Sequence, residues 1–138
     1  MKKIILTALA VLMVLAFAGC SGDLHDVGLL DGGWYVAGNI TSPNEWTPNT
    51  YPVVSVSSTE WYFDFTAKAS TGAFKVCPGA WDGAYGCSAT ITAGGAPVAM
   101  EIGAGDASIS GLTDGSKYRI TFTQNPEDFK LYASVKAL

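Results

Sequence analysis

Trp61-Tyr62-Phe63-Asp64-Phe65-Thr66 is the stretch that decides the fold. Trp61, Phe63 and Phe65 recur at every second position, which places them on one face of a β-strand, with Tyr62, Asp64 and Thr66 on the other. The same alternation continues in both directions. Downstream, Val98, Met100 and Ile102 form one row, and Tyr118, Ile120 and Phe122 alternate with Arg119, Thr121 and Thr123. Phe129, Leu131, Ala133 and Val135 then alternate with Lys130, Tyr132, Ser134 and Lys136. Upstream, Trp34 and Val36 oppose Tyr35 and Ala37, while Phe74 and Val76 oppose Lys75 and Cys77. Tyr51 to Ser57 is a weaker, valine-rich strand.

No segment sustains a helical period. Gly, Pro, Asn, Ser and Asp separate the alternating runs, and Thr113-Asp114-Gly115-Ser116 reads as a turn because Gly tolerates positive φ. About seven or eight short strands, each with one apolar face, predict an all-β, immunoglobulin-like β-sandwich. The expected domain spans residues 32–138, with no internal repeat and no second domain.

The chain has 138 residues, a net charge of −4, a pI near 4.7 and a mean hydropathy of +0.25. Acidity argues against nucleic acid, which requires a basic footprint. The positive hydropathy is concentrated at the start. Lys2 and Lys3 precede an apolar run from Ile4 to Phe17, which is too short to span a bilayer as a helix. Ala18-Gly19-Cys20 follows and resembles the bacterial lipobox, with Phe17 where Leu is usual. Ordinary secretion competes, since Ala16-Phe17-Ala18 is also an A-x-A cleavage site. Cysteine parity favours the lipobox: acylated Cys20 leaves Cys77 and Cys87 as an even pair. The expected organisation is a signal peptide over 1–19, and a lipidated Cys20 with its tether over 20–31. The lipid would anchor the chain to a membrane.

Enzymatic readings fail early. The single histidine, His25, falls in the tether, so nucleophilic triads lack a base within the folded region. No spacing suits a metal, and no Gly-rich loop opens a helix to hold a nucleotide. The expectation is therefore no catalysis, no metal and no cofactor. Asp64, Asp82, Glu101 and Asp106 are the acids that could still meet in space.

Cys77 and Cys87 flank a segment containing Trp81 and Tyr85. In an oxidising compartment a disulfide between them would close a loop of about ten residues and contribute roughly 2.5–3 kcal/mol. Such a bridge would also hold Trp81 and Tyr85 in a fixed presentation. Trp34 and Trp61 fall in phase with core residues, whereas Trp46 and Trp81 fall in loops. A loop tryptophan can tuck over a sheet end. Two of them, with Lys75 on a neighbouring strand face, also suit a sugar: the C–H face of a pyranose packs on an indole, and a lysine or carboxylate takes the hydroxyls. Each aromatic contact is worth about 0.5–1.5 kcal/mol, so strength would come from repeated engagement of a polymer.

Trp34-Tyr35-Val36-Ala37-Gly38-Asn39 followed by Trp46 resembles the opening of starch- and glycogen-binding β-sandwich domains. Gly72-Ala73-Phe74-Lys75-Val76 leading to Trp81 and Tyr85-Gly86 is similar to their second signature, and Gly115 to Phe122 to their closing strand. The pattern is that of SusE/SusF-type starch-binding lipoproteins and of the domains preceding pullulanase catalytic modules. The resemblance implies an α-glucan ligand touched by Trp46, Lys75 and Trp81, with Tyr85 in the same signature. A binding asparagine of those modules has no counterpart, since Ala107-Ser108 precedes Ile109 here. Ser21 after Cys20 lacks the common aspartate retention signal, so the resemblance implies an outer-membrane lipoprotein of the bacterial envelope. The alternative expectation is an envelope lipoprotein whose sandwich contacts a protein or a host surface.

Overall fold

The computed structural model describes residues 28–138. The expected signal peptide, Cys20 and most of the expected tether lie outside the described residues. Every regular element among the described residues is a strand. They are β1 (Tyr35–Gly38), β2 (Tyr51–Pro52), β3 (Val54–Ser57), β4 (Glu60–Thr66), β5 (Gly72–Cys77), β6 (Tyr85–Gly86), β7 (Thr90–Thr92), β8 (Val98–Ile102), β9 (Ala107–Ser110), β10 (Lys117–Gln124) and β11 (Leu131–Ala137).

Two layers form the sandwich. In one, β1 lies between β2 and β5, and β5 continues to β6 and β9, with β7 parallel to β9. In the other, β4 lies between β3 and β10, and β10 continues to β11 and β8. Strand β8 also pairs with β6, so it joins the layers along one side. Phe74 and Phe122 meet edge to face at 6.2 Å between the layers, and both are fully buried. Trp61, Val36, Val76, Ile91, Ile109, Ile120 and Leu131 complete the centre. Burial of each such side chain favours the fold by about 1.5–3 kcal/mol. The alternation read from Trp61 onward therefore describes the observed inner faces.

Four details differ from the sequence expectation. The strand count rises because β2, β6 and β7 span only two or three residues, too few for alternation to show. Phe129 is not in the last strand: it occupies the β10–β11 turn at φ 56°, half exposed, and β11 begins at Leu131. Ile102 has inward parity, yet it ends β8 and is 60% exposed because the core stops at Met100. Gly28 to Asp31, expected in the tether, packs onto the sandwich. Leu30 is buried, Trp61 Nε1 donates to Asp31 Oδ1 at 3.3 Å, and Leu29 N donates to Gln124 Oε1. A buried leucine and a carboxylate serving an indole N–H tie this segment to the core.

Candidate functional site

Strands β1 and β5 pair in the register Tyr35↔Cys77, Val36↔Val76, Ala37↔Lys75 and Gly38↔Phe74. Since Val36, Val76 and Phe74 fill the core, Tyr35, Ala37, Lys75 and Cys77 occupy the outer face. Small buried side chains, Ala37, Cys77 and Ala84, make the floor of that face. Lys75 is half-buried, and its Nζ donates to the Ala104 carbonyl at 3.2 Å. An ammonium carries three donors, so two remain for a ligand.

Trp81 sits in the β5–β6 connection and is 47% exposed. Its carbonyl accepts the Ala84 N–H at 3.3 Å, and Gly79 and Gly83 take positive φ on either side of it. Only a residue without Cβ adopts such angles freely, so the short connection folds back with the indole outward.

Trp46 lies in the β1–β2 loop, half-buried, and its N–H donates to the Gly38 carbonyl at 3.4 Å. Asn39 N bonds to the Ala73 carbonyl, so the peptide groups of Gly38 point away from β5. The Trp46 backbone therefore sits beyond β1, about 10 Å, or two strand spacings, from the Lys75 backbone. Along β5, Lys75 lies between the Gly38 end, where Trp46 attaches, and Cys77, where the Trp81 connection leaves. Neighbouring strands thus bring the three expected residues to one region of the fold.

Tyr85 does not join them. It is buried on the core face, where its ring packs on Trp34 at 5.4 Å, and desolvation raises its phenol pKa. Its pairing with Val76 fixes that inward parity. The expected disulfide is not formed either: Cys77 and Cys87 are both free. Val76 pairs with Tyr85, but beyond Gly86 the chain leaves β5, where Ala107 takes the place opposite Phe74, and the Cys87 side chain lies in the core while Cys77 lies on the outer-face floor. The two thiols occupy opposite faces of the layer. Cys87 Sγ lies instead 3.1 and 3.3 Å from the carbonyls of Ala89 and Ala99, either of which can accept its single S–H. Burial pushes the Cys77 thiol up to about 11, opposed by the nearby charge of Lys75.

Sequence reasoning missed the groups that hold the Trp46 loop. Thr41 Oγ1 lies 2.8 Å from the Gly38 carbonyl and 2.7 Å from that of Asn44. Lys68 Nζ donates to the Thr41 carbonyl at 2.8 Å and to Glu45 Oε1 at 2.9 Å. Thr41 and Glu45 lie more than twenty residues before Lys68, so no local pattern could reveal the contact.

Of the acids left open by sequence, Asp64 is engaged by a cation and not by another acid. Asp64 forms two bonds with Arg119, at 2.7 and 2.9 Å, and these bonds hold its carboxyl below the usual range. No group of three or more His, Cys, Asp or Glu among the described residues could hold a metal. A cleft of about 690 Å³ opens beside the Trp46 loop, lined among others by Thr41, Ser42 and Lys68, and another of about 660 Å³ lies by the β10–β11 turn; Trp46, Lys75 and Trp81 line neither. The candidate site is a surface, which suits a long ligand better than an engulfed one.

No protein-family model matches the chain, and no curated protein matches it. Among solved structures, it is similar to one described as the ligand-induced structure of AmyP-SBD, a starch-binding domain. The TM-score is 0.57 at 14% identity, over 80% of this chain and 76% of that one. At that identity the likeness establishes a shared fold.

Proposed function

We propose that this sandwich is a non-catalytic carbohydrate-binding module for α-glucan polymers. Trp46 and Trp81 supply stacking surfaces, and Lys75 supplies hydrogen bonds to sugar hydroxyls. One observation carries the reading: Lys75, on the outer face of β5, stands between the attachment of the Trp46 loop and the connection that exposes Trp81. The likeness in fold to a starch-binding domain supports it. The chemistry is complementary, because stacking serves the C–H face of a glucose unit and the ammonium donors serve its rim. A single site of this kind binds weakly, and a polymer offering many units raises the apparent strength without new contacts.

We further propose that the Ala18-Gly19-Cys20 signal attaches the module to a bacterial outer membrane through acylated Cys20. A lipid anchor would array many copies on one surface, and that array would supply the multivalency. Retardation of the folded protein in native gels containing glycogen or soluble starch tests the binding function. Unchanged mobility with every α-glucan tried would favour the protein-contact alternative.

A further inference from the structure

The Trp46 loop adopts a conformation that its own chain disfavours. Trp46 holds φ at 51°, a left-handed angle that strains a residue bearing Cβ. Next to it, Thr47 Oγ1 is buried without a hydrogen-bond partner among the described residues. Both features work against this geometry, so bonds from outside the segment must impose it. Thr41 fixes the start of the loop to Gly38 and Asn44. The Tyr51 hydroxyl of β2 accepts from Asn44 N, and the most distant hold comes from Lys68, just after β4, whose ammonium bridges the Thr41 carbonyl and the Glu45 carboxylate. Glu45 immediately precedes Trp46.

We infer that Lys68 is a positioning residue for the glucan site: it touches no sugar and sets the presentation of Trp46. The inference rests on the proposed function for its consequence, and on the loop geometry for its cause. The ammonium spans the loop from Thr41 to Glu45, so its loss leaves the Glu45 side chain untethered and the segment leading into Trp46 held by the Thr41, Asn44 and Trp46 bonds to Gly38 and Tyr51. The carboxylate contact alone is exposed on both sides, with side chains 40% and 47% accessible, and is weak by itself. The bond to the main-chain carbonyl of buried Thr41 gives the clamp its fixed point.

The test uses the full chain labelled with 5-fluorotryptophan, whose four indole resonances are assigned by single Trp→Phe replacements. In Lys68→Met the Trp46 resonance should shift or broaden, while those of Trp34, Trp61 and Trp81 stay in place. Lys68→Arg should retain the wild-type resonance, and Glu45→Gln should give a smaller displacement. Glucan affinity should fall about fivefold in Lys68→Met and recover in Lys68→Arg. A purely structural lysine would instead lower the melting temperature and move all four resonances together. An unchanged Trp46 resonance in Lys68→Met overturns the inference. If the unmodified protein binds no glucan, the proposed function fails, and the fluorine spectrum still decides whether Lys68 holds Trp46.

Discussion

Lys75 Nζ reaches the Ala104 carbonyl, 29 residues away, at 3.2 Å. This bond draws the turn after β8 against the outer face of β5 and holds the ammonium beside the floor of Ala37 and Cys77. The lysine is therefore ordered before any ligand arrives, which reduces the side-chain entropy lost on binding. Lys75→Met should weaken glucan binding about three- to tenfold, as expected for one lost charged hydrogen bond at a partly wet site. Its melting temperature should change little. Affinity electrophoresis beside a thermal melt separates the two effects.

The thiols of Cys77 and Cys87 should both be countable after unfolding without reductant, and neither should react quickly in the native protein at pH 8. Cys77 adds a pH dependence. Its folded pKa, near 11, lies above the ordinary value of 9.0, so the native state binds this proton more tightly than the unfolded state does. The corresponding stability is fully present below about pH 9 and is lost as pH rises through about 11. Melting temperatures of wild type and Cys77→Ala between pH 8 and 11 should converge towards the alkaline end. Parallel curves across that range contradict the assignment.

Leu30 tests where the folded unit begins. Its buried side chain predicts a loss of about 2–4 kcal/mol in Leu30→Ala, measured by urea unfolding. A chain beginning at residue 32 should be destabilised similarly, because it also loses the Asp31 acceptor of Trp61. A shortened chain as stable as the unshortened protein would return residues 28–31 to the tether.

Asp64 and Arg119 predict a dependence at the acid end. Arg119 holds the Asp64 pKa below its ordinary value, so this carboxylate stabilises the fold above its unfolded pKa, and the effect is lost as pH falls through the folded one. Asp64→Asn should therefore lower the urea midpoint slightly at pH 7 and match wild type near pH 2. Both partners are well exposed, so the difference should be small and should shrink in high salt.

Much of this arrangement was legible in the sequence because alternation is local. The parity of Phe74-Lys75-Val76-Cys77 assigns Lys75 and Cys77 to the outer face without any structure. The same parity argues against the disulfide once the hairpin register is known, since Tyr85 opposite Val76 turns Cys87 into the core. Register depends on how tightly the connection turns, and Gly79 and Gly83 alone did not specify that. Extending the last strand back to Phe129 failed for a related reason. The turn is closed by Phe129 N on the Asn125 carbonyl, and by the carboxylate of Asp128, which accepts from Lys130 N and the Tyr132 hydroxyl. These bonds override an apolar residue that happens to be in phase. Lys68 was invisible because its partners are brought near only by the packing of the β1–β2 loop beside the end of β4.

Trp81 is the most exposed of the three proposed contact residues, so the proposed binding depends on it most directly. Isothermal titration of the folded protein with a soluble α-glucan should give saturable binding, with a per-site Kd on the order of 1 mM. Trp81→Ala should bind about tenfold more weakly while unfolding at the wild-type temperature. Equal affinity in wild type and Trp81→Ala, or no binding of any α-glucan by the folded wild type, would contradict it.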